Sequence, residues 1–255
     1  MLMLAVTTMK PGKSCGFILA EALCLPLLTA ALAAYDWSVA GSREAARPAV
    51  CGPLFHEATN EFRTMTTTLY QHQTRVDRDV RSYRYDCVGF VSYALKQVAP
   101  QAWATAAKGT GITKGHIPSP PLYRAFLAGL SEKSQPGWEM VKKVSDLRSG
   151  DVVAWEHKTE TSSGHAVIIG GTPMPLTNGL WLVEVYDSTS SPHSDDSRST
   201  DLRAQVLAST GRRSGLGHGV MLFVADPASG ALTGVRWTRK AKSITVPIAA
   251  GRPTS

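Results

Sequence analysis

A cysteine at the start of a predicted helix is the feature that most constrains how this chain can fold and act. Polar, turn-prone residues precede Cys87, and apolar residues follow it at spacings of three and four. Those apolar residues are Val88, Val91, Ala94, Leu95 and Val98. The spacing predicts an amphipathic helix that begins near Cys87 and ends by Pro100. A thiol at a helix N-terminus faces the positive end of the helix dipole and unpaired backbone N–H groups, and both favour the nucleophilic thiolate.

Residues 1–33 have the pattern of an export signal. A short basic region with two lysines precedes an apolar stretch from residue 16 to residue 34, and Ala31-Leu32-Ala33 is a small-x-small cleavage site. An acidic residue and a proline interrupt the apolar stretch, which is short for a bilayer span, so an uncleaved anchor is the alternative. We therefore expect an exported protein, residues 34–255, with no stable membrane span after cleavage.

The charge of the chain restricts its partners. The formal net charge is +7 and the pI is near 9.3, which suits an anionic partner such as a cell envelope. The sequence contains no run of Lys and Arg, so we do not expect nucleic acid as a partner.

The residues after Leu147 predict a sheet. Six short apolar runs are bounded by Gly, Asn, Pro and Ser, which is typical of strands in an antiparallel meander or a small barrel. The runs are residues 151–155, 165–169, 180–186, 219–224, 234–237 and 243–246. Predicted helices, one of them over residues 57–71, come before the strands. The expected fold class is therefore α+β, with N-terminal helices packed on a six-stranded antiparallel sheet or small open barrel.

The stretch of residues 101–136 differs in composition from the rest. It is rich in Gly, Pro, Ser and Lys, and it has too little apolar periodicity for a core of its own. We interpret it as an insert packed beside the active cleft, inside a single catalytic domain.

Catalysis by a cysteine requires a base and a group that orients the base. His165 opens the second predicted strand, and Asp187 follows directly on the third. Adjacent strands of a sheet lie about 4.8 Å apart, so an aspartate there can reach the imidazole ring. The alternatives are a hydrogen-bonded histidine at a strand edge and an ordinary turn aspartate.

His193 is the reserve candidate for the third catalytic residue. It lies in a polar loop after Pro192, close to Asp195 and Asp196. Imidazole and carboxylate groups are metal ligands, but the loop context favours solvated side chains, so we expect no metal. The glycines that precede residue 219 lead into a strand rather than a helix, which is the wrong context for a nucleotide loop, and we expect no cofactor.

Four motifs occur in order around the candidate residues. They are Asp86-Cys87-Val88-Gly89-Phe90-Val91, Leu147-Arg148-Ser149-Gly150-Asp151-Val152-Val153, Ser163-Gly164-His165-Ala166-Val167-Ile168-Ile169 and Val185-Tyr186-Asp187-Ser188-Thr189. The first resembles the Asp-Cys-Ser-Gly-Phe-Val motif of the NlpC-type cysteine peptidases, which are papain-like enzymes of the bacterial cell envelope. The second and third resemble that family's Leu-x-x-Gly-Asp strand and Gly-His-Val strand. The fourth falls where the family places its third polar residue.

This resemblance, which covers about residues 70–190, implies a papain-like fold and a set of roles. Cys87 would be the nucleophile, His165 the base and Asp187 the residue that orients the base. A tyrosine hydroxyl is expected near the oxyanion, from Tyr70 with Tyr85 as the alternative. The expected substrate-binding residues are Tyr70 and Asp86.

The function implied is that of a periplasmic or secreted cysteine hydrolase that cleaves amide bonds in peptidoglycan peptides or in another acyl substrate. One alternative is a related acyltransferase or amidase on the same fold. The other is a non-catalytic wall-binding module in which Cys87 forms a disulfide with Cys51, the only other cysteine left after signal cleavage. Closing that loop of about 35 residues would contribute about 3–4 kcal/mol.

Overall fold

The computed structural model of the protein describes residues 51–113, 115–160 and 162–254. The predicted export signal, residues 1–33, lies outside these residues. The described residues belong to one compact unit. Of the helices that they form, none combines the length and the apolar composition that crossing a bilayer requires.

Four α-helices occur in the described residues. They are α1 (Pro53–Thr64), α2 (Cys87–Val98), α3 (Pro100–Gly109) and α4 (Pro120–Gly129). The bounds of α2 confirm the helix predicted to start near Cys87 and to end by Pro100. The helix predicted over residues 57–71 is wrong in its bounds, because α1 starts earlier and residues 67–70 form a strand. That part of the chain contains several threonines, whose β-branched side chains favour strands over helices.

Fourteen strands occur in the described residues. They are β1 (Thr67–Tyr70), β2 (Arg75–Asp77), β3 (Ser82–Tyr85), β4 (Trp138–Val141), β5 (Val152–Glu156), β6 (Gly164–Ile169), β7 (Met174–Pro175), β8 (Leu180–Thr189), β9 (Val206–Leu207), β10 (Arg212–Arg213), β11 (Gly215–Ala225), β12 (Leu232–Arg236), β13 (Ile244–Thr245) and β14 (Ile248–Pro253). Nine of them form one open sheet in the order β13-β12-β11-β8-β6-β5-β14-β4, with β7 paired to β8. All pairs in this main sheet are antiparallel.

The main sheet confirms the predicted α+β class and enlarges the predicted sheet. All six predicted runs are strands, namely β5, β6, β8, β11, β12 and β13, and they lie side by side in sequence order. The prediction of six strands is too low because β4, β7 and β14 also join. β14 carries Gly251 and Pro253, which are poor strand residues, so the strand is defined by pairing with β4 and β5 and not by a local pattern.

The strands in the middle of the main sheet are buried on both faces. On β5, Val152 and Ala154 pack in the same apolar cluster as α2. The alternate residues Val153 and Trp155 pack in a second cluster with residues from other strands of the sheet. Burial on both faces is why these strands read in the sequence as continuous apolar runs and do not alternate with polar residues.

Helices α3 and α4, which fall in the predicted insert, join the main core. Ala102, Ala106, Tyr123 and Leu127 are fully buried in the cluster that contains α2. The Tyr123 hydroxyl lies 2.9 Å from the Ser92 hydroxyl of α2. The residues just before α4 line the large cleft described below.

Asp151 of the predicted Gly-Asp motif binds a residue of β14, the last strand, and so helps to hold that strand in the sheet. Its side chain is 1% exposed, and its two oxygens accept from Nε of Arg252 at 2.8 Å and from Nη2 at 2.9 Å. The backbone N–H of Arg148 donates to the same carboxylate at 2.8 Å. This motif therefore has a structural role, since Arg252 lies on β14.

Candidate active site

Cys87 is the first residue of α2 and lines a cleft of about 980 Å³. The preceding residue, Asp86, caps the helix, because its Oδ1 accepts from the backbone N–H of Gly89 at 2.8 Å. The first N–H groups of an α-helix have no partner within the helix. The nucleophile candidate therefore lies beside backbone donors that could stabilise an oxyanion.

His165 lies opposite this helix end and interacts with both Asp187 and Cys87. Its Nε2 lies 2.6 Å from Oδ2 of Asp187. Cys87 lines the same cleft and is close enough for its charge to raise the pKa of the ring. Since Asp187 occupies Nε2, the ring nitrogen left for Cys87 is Nδ1. The imidazole lies between two indoles, with ring centroids 5.3 Å from Trp155 and 5.1 Å from Trp237.

The electrostatics of His165 favour its charged form. Burial by itself lowers the pKa of His165, but the charge of Cys87 and the hydrogen bonds to Asp187 and Cys87 outweigh burial and raise the pKa to about 9. An imidazolium at neutral pH suits a base that must later give a proton to a leaving group.

Asp187 is fully buried inside β8, which continues to Thr189. The strand thus extends past the predicted end at residue 186. Burial by itself raises the pKa of this carboxyl, but Arg198 and His193, together with the hydrogen bond from His165, outweigh burial and hold the pKa well below its usual range. Asp187 is therefore a carboxylate that only accepts hydrogen bonds.

Cys87, His165 and Asp187 thus lie next to one another in the structure. None of the family models, curated proteins or solved structures compared with this chain matches it.

His193, the reserve candidate, contacts Asp187 and not the Nε2 of His165. Its Nε2 lies 2.8 Å from Oδ2 of Asp187, the oxygen that also binds His165. The side chain is 0% exposed, although the sequence predicted a residue of a polar, solvated loop. Trp237 covers the ring, with centroids 4.1 Å apart, and this apolar contact explains the burial.

Arg198 is a site residue that the sequence interpretation missed. It lies in the short 3₁₀ turn Ser197–Ser199, and its guanidinium is fully buried. Nη2 donates to Oδ1 of Asp187 at 2.9 Å and to Oδ2 of Asp196 at 2.7 Å. A single Arg between serines carries no periodicity or motif, so only the folded chain reveals its partner.

The predicted substrate-binding residues both line the cleft. Burial, and then the negative charges of Cys87, Asp86 and Asp187, raise the pKa of Tyr70, so its hydroxyl stays protonated near these groups. Asp86 also binds Nδ1 of His72 at 3.2 Å. The alternative tyrosine, Tyr85, is fully buried and donates its hydroxyl proton to Glu61 at 2.7 Å, away from the cleft.

The cleft has one mainly apolar wall and one mainly polar wall. Residues 117–121, before and at the start of α4, form the first, and residues 156–160 with 162–164 form the second. Trp237 and Ile244 add apolar surface, and the charged side chains are of both signs, with Lys158 and Lys242 beside Glu156 and Glu160. A groove of this size and mixed lining can hold a segment of peptide.

One set of side chains has the ligand types for a metal ion. The donor atoms of His165, Asp187 and His193 lie within 4.8 Å of one another. The Arg198 guanidinium already binds Asp187 in this set, and its positive charge opposes a cation there. His193, Asp195 and Asp196, which lie close together in the sequence, do not form such a set. Asp195 pairs with Arg239 at the surface, and Asp196 pairs with Arg198.

Cys51 and Cys87 are both free thiols in this structure. The residue after Cys51 bonds to Ser149 through its backbone N–H at 3.4 Å and lines a separate cavity of about 80 Å³. The disulfide required by the wall-binding alternative is not formed here.

Proposed function

We propose that the protein is a cysteine hydrolase that cleaves amide bonds with Cys87, His165 and Asp187. The observation that supports this most is the arrangement of three groups: Cys87 and His165 both line a large cleft, His165 is hydrogen-bonded to the buried carboxylate of Asp187 at 2.6 Å, and the charge of Cys87 raises the pKa of His165. These are the three roles that acyl transfer through a thiolate needs, namely nucleophile, base and orienting group.

In the proposed reaction, the Cys87 thiolate attacks the substrate carbonyl, and backbone N–H groups at the start of α2 stabilise the oxyanion. The His165 imidazolium protonates the leaving amine, and the neutral ring then takes a proton from the water that releases the acyl group. Asp187 holds the Nε2–H of His165, which leaves Nδ1 for the proton transfers at Cys87.

We further propose peptides of peptidoglycan as the substrate, and a papain-like arrangement of the helix and sheet. The supports are the motifs around Cys87, Asp151 and His165, the cleft with its apolar and polar walls, and the positive net charge, which suits an anionic wall polymer. Export to the cell envelope belongs to the same proposal and rests on the sequence of residues 1–33. Mass spectrometry of the exported form should show a new N-terminus near Ala34 or Tyr35.

The deciding experiment combines thiol labelling with turnover. An iodoacetamide probe at neutral pH should label Cys87 much faster than Cys51, and Cys87→Ser should abolish turnover of purified wall peptides while circular dichroism stays unchanged. Cys51→Ser is the matched control and should keep wild-type turnover. Wild-type activity in Cys87→Ser would overturn the proposal.

Product analysis separates hydrolysis from acyl transfer. Hydrolysis gives a free carboxylate at the cut bond, whereas a transferase joins the acyl group to an added amine. Transfer as the main reaction would show that the acyltransferase alternative is correct and would leave the roles of Cys87 and His165 in place.

A further inference from the structure

The carboxylate of Asp187 is held on both of its oxygens. Oδ2 binds His165 at 2.6 Å and His193 at 2.8 Å, while Oδ1 accepts from Arg198 at 2.9 Å. All four side chains are buried, with 10% exposure for His165 and 0% for the others. Rotation of the carboxylate would break at least one of these bonds, so its orientation is fixed by groups on both sides.

The hydrogen-bond pattern determines which nitrogen of His193 carries the proton. An ionised carboxylate only accepts, so Nε2 of His193 must be the donor to Asp187. The other ring nitrogen, Nδ1, is buried and has no partner among the described residues. Of the two ring nitrogens of His193, therefore, only Nε2 contacts the candidate site, through its hydrogen bond to Asp187.

Further hydrogen bonds hold the loop that carries His193 in place. The backbone N–H of His193 donates to Oδ2 of Asp196 at 2.7 Å, and Asp196 in turn binds the guanidinium of Arg198. Nη1 of Arg198 also donates to the backbone oxygens of Asp187 and Gly215, at 3.0 and 2.8 Å. Because these hydrogen bonds hold its loop in place, the His193 ring can position another side chain and does more than fill space.

We propose that His193 is a positioning residue for the catalytic site: through its Nε2–H, and together with Arg198 on the other oxygen, it holds Asp187 in the orientation that aims His165 at Cys87. This inference rests on the proposed function of Cys87, His165 and Asp187. His193 does not touch the reacting atoms in this scheme, and its effect passes through Asp187.

The test compares two amide substitutions of His193 that differ in where they place an N–H donor. In His193→Gln the amide nitrogen lies about where Nε2 lies, whereas in His193→Asn it lies about where Nδ1 lies. His193→Gln should keep kcat within about threefold of wild type. His193→Asn and His193→Phe should lower kcat by up to about 100-fold with little change in KM, because misplacement of a catalytic group by about 1 Å has that effect.

Equal kcat values in His193→Gln and His193→Asn would overturn the proposal, since a purely structural ring would not distinguish the two amide positions. Thermal unfolding of both variants identifies any loss that comes from misfolding. A measurement on the wild-type protein decides the case if a variant does not fold. The ¹⁵N spectrum of His193 should show a proton on Nε2, and an Nε2 without a proton would equally overturn the proposal.

Failure of the proposed function would be visible separately. If Cys87→Ser retains wild-type turnover, the catalytic scheme is wrong whatever His193 does. The low-field imidazole N–H signal of the His165–Asp187 bond tests the positioning role without turnover. It should persist in His193→Gln and broaden or vanish in His193→Asn, and its persistence in both would overturn the positioning role alone.

Discussion

Replacement of Cys87 by serine should change the protonation of His165, and this effect tests the pairing of the two groups directly. Burial by itself lowers the pKa of His165, and the charge of Cys87 is the largest influence that raises it, followed by the hydrogen bonds to Asp187 and Cys87. A serine hydroxyl stays neutral over the accessible pH range. The Cys87→Ser variant therefore loses the Cys87 charge but keeps Asp187.

The structure sets the size of the effect. The step from the ordinary pKa of 6.5 to about 9 corresponds to about 3 kcal/mol in favour of the imidazolium, since one pH unit equals about 1.4 kcal/mol. Because Cys87 supplies the largest raising influence, we expect Cys87→Ser to lower the pKa of His165 by at least about 1 pH unit, or about 1.4 kcal/mol.

The assay is an NMR titration of the histidine rings, with His165→Gln used to assign the His165 signal. Cys51→Ser is the matched control, because Cys51 lies outside the cleft lining and should leave the titration unchanged. If both serine variants give the wild-type pKa, then Cys87 and His165 are not a charge pair, and they do not act together as nucleophile and base.

Three further variants test other parts of the structure. Asp187→Asn keeps the shape of the side chain but removes its charge, so turnover of wall peptides should fall by up to about 10⁴-fold, and a loss below tenfold would exclude an orienting role. Burial, partly offset by the hydrogen bond from Tyr85, raises the pKa of Glu61 to about 8, above its ordinary 4.5, so this group makes the free energy of unfolding fall as pH rises between those values. Glu61→Gln should remove that contribution, about 1.4 kcal/mol per pH unit, and thermal unfolding at pH 5 and pH 8 would contradict this if variant and wild type kept a constant difference. Arg252→Met leaves the buried Asp151 without its partner and should cost about 3 kcal/mol in denaturant unfolding, whereas the control Arg239→Met, in an exposed pair, should cost less than about 1 kcal/mol.

The parts of the fold that sequence could predict are those with local signals. The α2 helix was predictable because its apolar residues have helical spacing and a capping aspartate precedes it. The six strand runs were predictable because turn residues separate them. Strand β14 was not predictable in this way, since its pairing partners are more than a hundred residues earlier in β4 and about a hundred residues earlier in β5.

The candidate site likewise contains some residues that local signals predict and others that they do not. Cys87, His165 and Asp187 lie on a helix start and on two strands, so their types and positions could be inferred, and the structure brings all three together. His193 and Arg198 lie in a segment that reads as a polar loop. Their burial depends on Trp237, in a later part of the chain, and on the buried carboxylates of Asp187 and Asp196, and no local pattern shows that these groups converge.

The charges around Asp187 link the chemistry of the site to the stability of the fold. The side chains of Asp187, Asp196 and Arg198 are buried, so two carboxylates and one guanidinium leave one negative charge in the interior. The imidazolium of His165 lies between that charge and the charge of Cys87, and both favour it. Because the folded pKa of His165, about 9, exceeds the ordinary 6.5, its stabilising effect is complete below pH 6.5 and is lost as pH rises through 9. The charged ring that would protonate a leaving amine is thus also the form that the folded protein favours, and this form depends first on the charge of Cys87 and then on the buried carboxylate of Asp187.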